Sequence, residues 1–258
     1  FGAKSWIKYQ PLGTVGVISP WNFPINLVLS PLGTIFAAGN RVMIKPSEFT
    51  PATSDLTEKM FKEFFDPSEA AVFTGGPDVA AAFSALPFDH LLFTGSTQTG
   101  KLVMKSASEN LVPVTLELGG KSPVIVDENA DLKNTATKVM RGKTMNAGQI
   151  CLAPDYVMVP KGKSEDFVKE SENAVKSMYE NLKYNQSYTS VINEKHYDRL
   201  NSLIEDAKEK GADIRVINPA DEDFSQQEVH KIPPTLVLNP TDDMDTASYT
   251  HLTLPTKA

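Results

Sequence analysis

Cys151, Glu117 and Asn22 are the residues of this chain best equipped for chemistry. Cys151 is the single cysteine, so no intrachain disulfide is open to it. Its uses narrow to packing or to thiolate chemistry. A buried thiol behaves as a small hydrophobe, but the setting here is polar: Asn146-Ala147-Gly148-Gln149-Ile150-Cys151, then Pro154. Gly148 lets the backbone approach another group, and Pro154 is expected to end a helix soon after the thiol. A thiol in such a turn is better placed to react than to pack. Glu117 follows the apolar run Val112-Pro113-Val114-Thr115-Leu116, read as a strand, and precedes Gly119-Gly120, read as a tight turn. A carboxylate there is either a general base that activates water or a structural cap of the turn, and spacing leaves both open. Asn22, between Pro20 and Pro24, is either a turn former or an amide donor to an oxyanion. Taken alone, it reads more simply as a turn former.

A second group of residues suits a ligand with phosphate and hydroxyl groups. Lys45 and Glu48 flank the end of a short apolar strand, 41–45. A lysine there can bond ribose or phosphate, and a carboxylate can accept from ribose hydroxyls. Without further context they are two exposed loop charges. The run from Leu91 to Gly95 leads through Ser96 into a helix that continues to about residue 108. A strand, a Gly-Ser turn and a helix N-terminus favour an anion, although GxGxxG is absent and an ordinary strand–helix connection reads equally well.

Composition limits the partners. The chain has 258 residues, 41% hydrophobic and 22% charged, with a net charge of −7, which suits one or two globular domains with a sizeable core. No dense Lys/Arg cluster occurs, so nucleic acid and anionic membrane are poor partners. No apolar run is long enough to span a bilayer, and the start does not resemble a signal peptide. One cysteine fits a reducing, cytoplasmic compartment. His90, His196, His230 and His251 are scattered without a second-ligand spacing, so no metal site is expected.

The elements that must position these residues follow a regular alternation. Two strand-like runs are expected within 6–18, around Pro11 and Gly13; the second, 14–18, ends at Ser19-Pro20-Trp21-Asn22-Phe23-Pro24. Helices are expected at 25–38, 54–65, 77–86 and from after Gly100 to about 108, with strands at 41–45, 70–74, 91–95 and 112–116. This order predicts a parallel sheet with crossover helices. Beyond Gly120 a second unit is expected: strand 123–127, helix 130–145, the Cys151 turn, strand 155–159, helices at about 163–182 and 193–210, and strands near 213–217 and 235–238. There is no internal repeat or low-complexity linker.

With these residues in view, the chain resembles the aldehyde dehydrogenase superfamily. The resemblance runs from about Pro11 to Asp243 and rests on five motifs: PWNFP at 20–24, KPSE at 45–48, FTGST with a following glycine at 93–100, ELGGKSP at 117–123 and GQIC at 148–151. Each is weak alone, and together they are specific. Within the superfamily the texture is most similar to coniferyl-aldehyde dehydrogenases and the fatty and aromatic class. The resemblance implies a Rossmann-like parallel-sheet cofactor domain at 1–119, part of an α/β, thiol-bearing catalytic domain at 120–244, and a tail at 245–258 that does not continue the family pattern and is read as non-native. It implies Cys151 as nucleophile, Glu117 as general base for deacylation, and Asn22 with the Cys151 backbone N–H as oxyanion hole. For NAD, with NADP also possible, it implies Lys45, Ser47 and Glu48 around the adenine ribose. Ile18, Ser19, Pro20, Trp21, Gly95, Ser96 and Gly100 would lie along the rest of the cofactor, and Leu118 and Gly119 by the nicotinamide. The implied reaction oxidises an aldehyde to its acid through a thiohemiacetal and a thioester.

Two departures from the family are visible. Early strands of the cofactor domain are missing, and the expected Glu-x-Phe-Gly-Pro segment is replaced by unrelated residues after 245. The chain is therefore read as a fragment of a homo-oligomeric parent, inactive by itself. Three rival functions are a CoA-acylating dehydrogenase, a non-catalytic relative and a cysteine hydrolase. Against them stand a purposeful Glu117, the complete Cys/Glu/Asn set, and the lack of a histidine in a recognisable partner motif for Cys151.

Overall fold

The computed structural model describes residues 2–247. The backbone divides into two units, with the boundary between Gly119 and Gly120.

The first unit alternates strand and helix: β1 (Thr14–Ile18), α1 (Asn26–Ala37), β2 (Arg41–Lys45), α2 (Pro51–Phe64), β3 (Ala70–Val72), α3 (Pro77–Ser84), β4 (His90–Gly95), α4 (Thr97–Ser108) and β5 (Val114–Leu118). The five strands form one parallel sheet in the order β3-β2-β1-β4-β5. Side chains alternate across a strand, and here both faces are covered. Val15 and Val17 join a core of α1, α2, β2 and β3 residues that includes Val28, Leu32, Ile44 and Phe61. Ile18 joins a second core with Phe83, Leu91, Phe93 and Val103 from α3, β4 and α4. Burial on both sides explains why these strands read as near-continuous apolar runs. Gly16 has no room for a side chain, since a Cβ there would lie 2.7 Å from the Phe88 ring and 2.8 Å from Leu91. α3 opens at Pro77 as expected, but α2 begins at Pro51 rather than 54, and α4 begins at Thr97 rather than after Gly100, because proline suits a first turn and the Ser96 side chain caps the helix.

The second unit contains β6 (Ser122–Ile125), α5 (Leu132–Thr144), a 3-10 turn (Met145–Gly148), β7 (Pro154–Met158), α6 (Ser164–Met178), α7 (Glu194–Glu209), β8 (Asp213–Val216), β9 (Thr235–Leu238) and a second 3-10 turn (Asp245–Ala247). β6 and β7 pair parallel, whereas β8 and β9 pair antiparallel. Its core unites α5 and α6 through Ala136, Val139, Met140, Phe167, Ala174 and Val175, with Ile217. Among the described residues no helix is long and apolar enough to cross a membrane.

Several expectations need correction. The first strand-like run, near residues 6–10, forms no strand; Trp6, Ile7 and Tyr9 are 80%, 85% and 93% exposed. Strand propensity is local, but a strand needs a partner, and this run pairs with none of the described strands. β5 begins at Val114 and places Glu117 inside the strand, opposite Thr94 in register. Pro113 has no N–H for the ladder, which delays the strand start. Gly119 and Gly120 form no turn, neither has a positive φ, and a Cβ on either would meet nothing within 4 Å. Pro154 ends no helix; it opens β7. The helix expected to reach 182 stops at Met178. Residues 245–247 are tied down: the Asp245 N–H donates to Asp206 Oδ2 at 2.8 Å, and Lys121 Nζ donates to the Thr246 carbonyl at 2.8 Å. The rest of the expected non-native tail, 248–258, lies outside the described residues.

Candidate functional site

In a parallel sheet every strand ends at the same edge, so the loops after β1, β2, β4 and β5 converge there by construction. The strand order reverses between β1 and β4, which opens a crevice at that edge. Ile18 pairs with Lys45 on one side and Phe93 on the other, and Gly95 pairs with Leu118. Ile18, Ser19, Pro20, Trp21, Asn22, Lys45, Ser47, Glu48, Gly95, Ser96, Leu118 and Gly119 therefore belong to one edge of the first unit, with Gly100 in the first turn of α4. The Ser19 hydroxyl is buried there with no hydrogen-bond partner among the described residues.

Lys45 and Glu48 are not two exposed loop charges. Lys45 is 2% exposed, and its Nζ donates to Glu48 Oε2 at 2.8 Å, while the Glu48 side chain is 32% exposed. Burial works to raise the Glu48 carboxyl. The hydrogen bond from Lys45, one from the Glu48 backbone N–H and the Lys45 charge outweigh burial and hold it below its ordinary value. The loop is stapled to α2: the Ser47 carbonyl accepts from Ser54 Oγ at 2.8 Å, and Ser47 Oγ accepts from the Phe49 N–H at 3.2 Å. The ionised Glu48 carboxylate can accept from vicinal hydroxyls while the buried Lys45 ammonium beside it donates to an oxygen.

The β4–α4 junction is built by packing. Ser96 Oγ accepts from the Thr99 N–H at 3.2 Å. A Cβ at Gly95 would sit 2.5 Å from the Phe93 ring, and one at Gly100 would sit 2.9 Å from Leu118 Cδ2. Small residues here let the start of α4 close over Phe93 with its dipole facing the crevice. Glu117 projects from edge strand β5 on its exposed face, and Asn22 lies half-buried in the loop after β1.

The thiol belongs to the second unit. Cys151 is free and half-buried, in a turn between the 3-10 segment and β7. The backbone before it is unusual. Asn146 (φ 49, ψ 34), Ala147 (φ 52, ψ 33) and Gly148 (φ 75) are consecutive left-handed residues. Glycine accepts this geometry, but a non-glycine residue loses roughly 1–2 kcal/mol by it. A Cβ on Gly148 would press 3.1 Å from the Lys143 carbonyl, so the expected close approach at this glycine is real. Such strain persists only where the surroundings impose it, and it gathers at functional sites. Gln149 is part of those surroundings; in the sequence it reads as a polar residue of the GQIC motif, without a structural role. Asn and Gly before it were a partial signal, since both tolerate left-handed backbone; left-handed Ala147 had none. Among the described residues no group of three or more His, Cys, Asp or Glu is arranged to hold a metal ion.

These features define an α/β protein in which one unit carries a doubly wound parallel sheet with a polar edge at its switch point, and the other presents one thiol on a strained turn. The aldehyde dehydrogenase family profile matches residues 2–249, and the chain belongs to that family. A probable coniferyl aldehyde dehydrogenase from Caulobacter vibrioides is 61% identical over 244 residues, covering 95% of this chain and 50% of the relative. The coniferyl aldehyde dehydrogenase of a Pseudomonas species is 52% identical over 243 residues, covering 94% and 50%. The chain thus spans about half the length of the curated relatives it matches. Among solved structures, the substrate-bound Staphylococcus aureus AldH superposes with a TM-score of 0.84 at 40% identity, over 93% of this chain and 51% of that one. A mutant of Pseudomonas syringae aldehyde dehydrogenase C complexed with NAD+ and octanal gives 0.82 at 26% identity, over 92% and 50%.

Proposed function

We propose that this protein oxidises an aldehyde to the carboxylic acid with NAD, or NADP, by covalent catalysis at Cys151. The observation that carries this reading is a lone, half-buried thiol on a strained turn in a member of the aldehyde dehydrogenase family. The Cys151 thiolate adds to the aldehyde carbon and forms a thiohemiacetal. Its oxyanion takes hydrogen bonds from the Asn22 amide and the Cys151 backbone N–H. The dinucleotide, when bound, accepts the hydride that leaves this carbon, and a thioester remains on Cys151. Glu117, an exposed carboxylate, takes a proton from water, which attacks the thioester carbonyl and releases acid and thiol.

The residues of the sheet edge fit the dinucleotide. Glu48 is ionised and partly open to solvent beside the Lys45 ammonium, a pairing suited to ribose hydroxyls. Ser19 contributes an unmet polar group at the switch point. The start of α4 at Ser96, with Gly95 and Gly100, favours phosphate, and Ile18, Pro20, Trp21, Ser47, Leu118 and Gly119 frame the crevice. The substrate is an aromatic aldehyde of the coniferyl type or a long apolar one. That choice follows the two coniferyl relatives and the 4,4'-diaponeurosporen-aldehyde dehydrogenase of Staphylococcus aureus, which is 41% identical over 244 residues.

In the full-length protein, Cys151→Ala is expected to abolish NADH formation from coniferyl aldehyde while NAD still binds. Glu117→Gln is expected to give a burst of NADH followed by stalled turnover. Sustained turnover by Cys151→Ala overturns the reading.

A further inference from the structure

The turn before Cys151 is held from outside itself. Asn146 and Gly148 tolerate left-handed backbone, but Ala147 between them does not favour it. The Gln149 side chain supplies the missing restraint. Its Nε2 donates to the Asn146 carbonyl at 3.0 Å and to the Ser190 carbonyl at 3.0 Å. Its Oε1 accepts from the Ile192 N–H at 3.0 Å. The Gln149 backbone N–H also donates to the Asn146 carbonyl, at 3.0 Å. Two of these contacts close the turn on itself, and the other two tie it to a strap at 190–192, some forty positions along the chain.

The strap is itself anchored. The Val191 N–H donates to the His230 carbonyl at 3.0 Å, and the Tyr188 hydroxyl donates to the Ile232 carbonyl at 2.7 Å. Lys231 Nζ donates to the carbonyls of Asn185 at 2.7 Å and Leu182 at 3.3 Å. Val191 is buried. The turn therefore leans on a segment that other parts of the unit hold fixed.

We propose that Gln149 is the positioning residue of the Cys151 thiol: by bridging Asn146, Ser190 and Ile192 it holds the left-handed turn that fixes the direction of Sγ. This rests on the reading of Cys151 as nucleophile. The carboxamide chemistry is specific. Two carbonyl oxygens accept from its two N–H groups and one backbone N–H donates to its oxygen, a set of roles that an amide side chain of this length fills together. A glutamate keeps the size but turns a charged acceptor toward two carbonyls. An asparagine keeps the chemistry but is one methylene short.

The test uses Gln149→Glu, Gln149→Ala and Gln149→Asn in the full-length protein. The readouts are kcat and KM for an aromatic aldehyde, NAD affinity by fluorescence, and the pH profile of Cys151 alkylation by iodoacetamide. Gln149→Glu and Gln149→Ala are expected to lower kcat by roughly 100-fold, the usual loss when a reacting group is displaced by about an ångström. NAD affinity and KM are expected to stay within about twofold, the pattern of a lost transition-state geometry. The alkylation profile is expected to move with kcat, which a merely structural role would leave in place. If the first two variants fail to fold, Gln149→Asn decides: unchanged kcat refutes the proposal, and a selective loss of kcat supports it. Wild-type kcat in folded Gln149→Glu also refutes it. If Cys151→Ala is inactive while the Gln149 variants are fully active, only the positioning role falls. If Cys151→Ala turns over, the reading beneath it falls.

Discussion

Glu48→Gln removes the charged partner of a buried ammonium, and its effect can be sized from the geometry. Lys45 Nζ and Glu48 Oε2 are 2.8 Å apart, with side chains 2% and 32% exposed. At an effective dielectric of about 20, charges at that distance attract by roughly 6 kcal/mol. Desolvation of the ammonium offsets most of this. Water on the open side of Glu48 screens more, so a net loss of about 1–2 kcal/mol is expected, between an exposed pair and a broken buried one. For a chain of this size that corresponds to a melting temperature lower by roughly 2–8 °C at neutral pH. The pH dependence has a definite sign. The Glu48 carboxyl is held below its ordinary value of 4.5, with burial opposing and Lys45 prevailing. A lowered carboxyl stabilises the fold above its unfolded value, and the contribution is lost as pH falls through the folded one. Melting curves of both chains across a pH series spanning 4.5 should show a constant gap on the alkaline side that shrinks on the acid side. Equal melting at neutral pH, or a gap that persists unchanged in acid, refutes the reasoning.

The same residue should set cofactor choice: a 2′-phosphate beside the Glu48 carboxylate is disfavoured, so the full-length protein is expected to prefer NAD, and Glu48→Gln to narrow the NAD/NADP ratio of kcat/KM. Comparable efficiency with both, unaffected by the substitution, rules that role out. Gly148→Ala forces a side chain onto φ 75 and against the Lys143 carbonyl, and is expected to cost about 1–2 kcal/mol and to alter iodoacetamide labelling of Cys151; wild-type melting and labelling would contradict the strained-turn account. Lys231→Met leaves the Leu182 and Asn185 carbonyls without their ammonium donor and is expected to cost about 1–3 kcal/mol, seen as a lower urea midpoint at unchanged slope. An unmoved midpoint would show that water replaces the lysine freely.

Much of this protein is legible in local sequence because its causes are local. Short, near-continuous apolar runs and stripes at period 3.6 mark the strands and helices of the first unit, and proline or serine stands at several helix starts. The alternation of the two dictates a parallel sheet, and a parallel sheet gathers the PWNFP, KPSE and FTGST loops at one edge whatever the remaining details. The lone Cys151 in a polar, glycine-containing turn was visible in the same way. Other features depend on residues far apart in the chain. Trp6, Ile7 and Tyr9 have strand-forming side chains yet form no strand, because pairing is decided by a neighbour and not by propensity. Lys45 and Glu48 read as loop charges until packing against the sheet buries one and leaves the other half-open. Left-handed Ala147 has no signature at all; it is imposed by a carboxamide that reaches from Gln149 to Ser190 and Ile192. Spacing within a strand or helix reports which way a side chain faces, but a contact across forty residues exists only once the chain has closed the loop between them, and only the tertiary structure decides it.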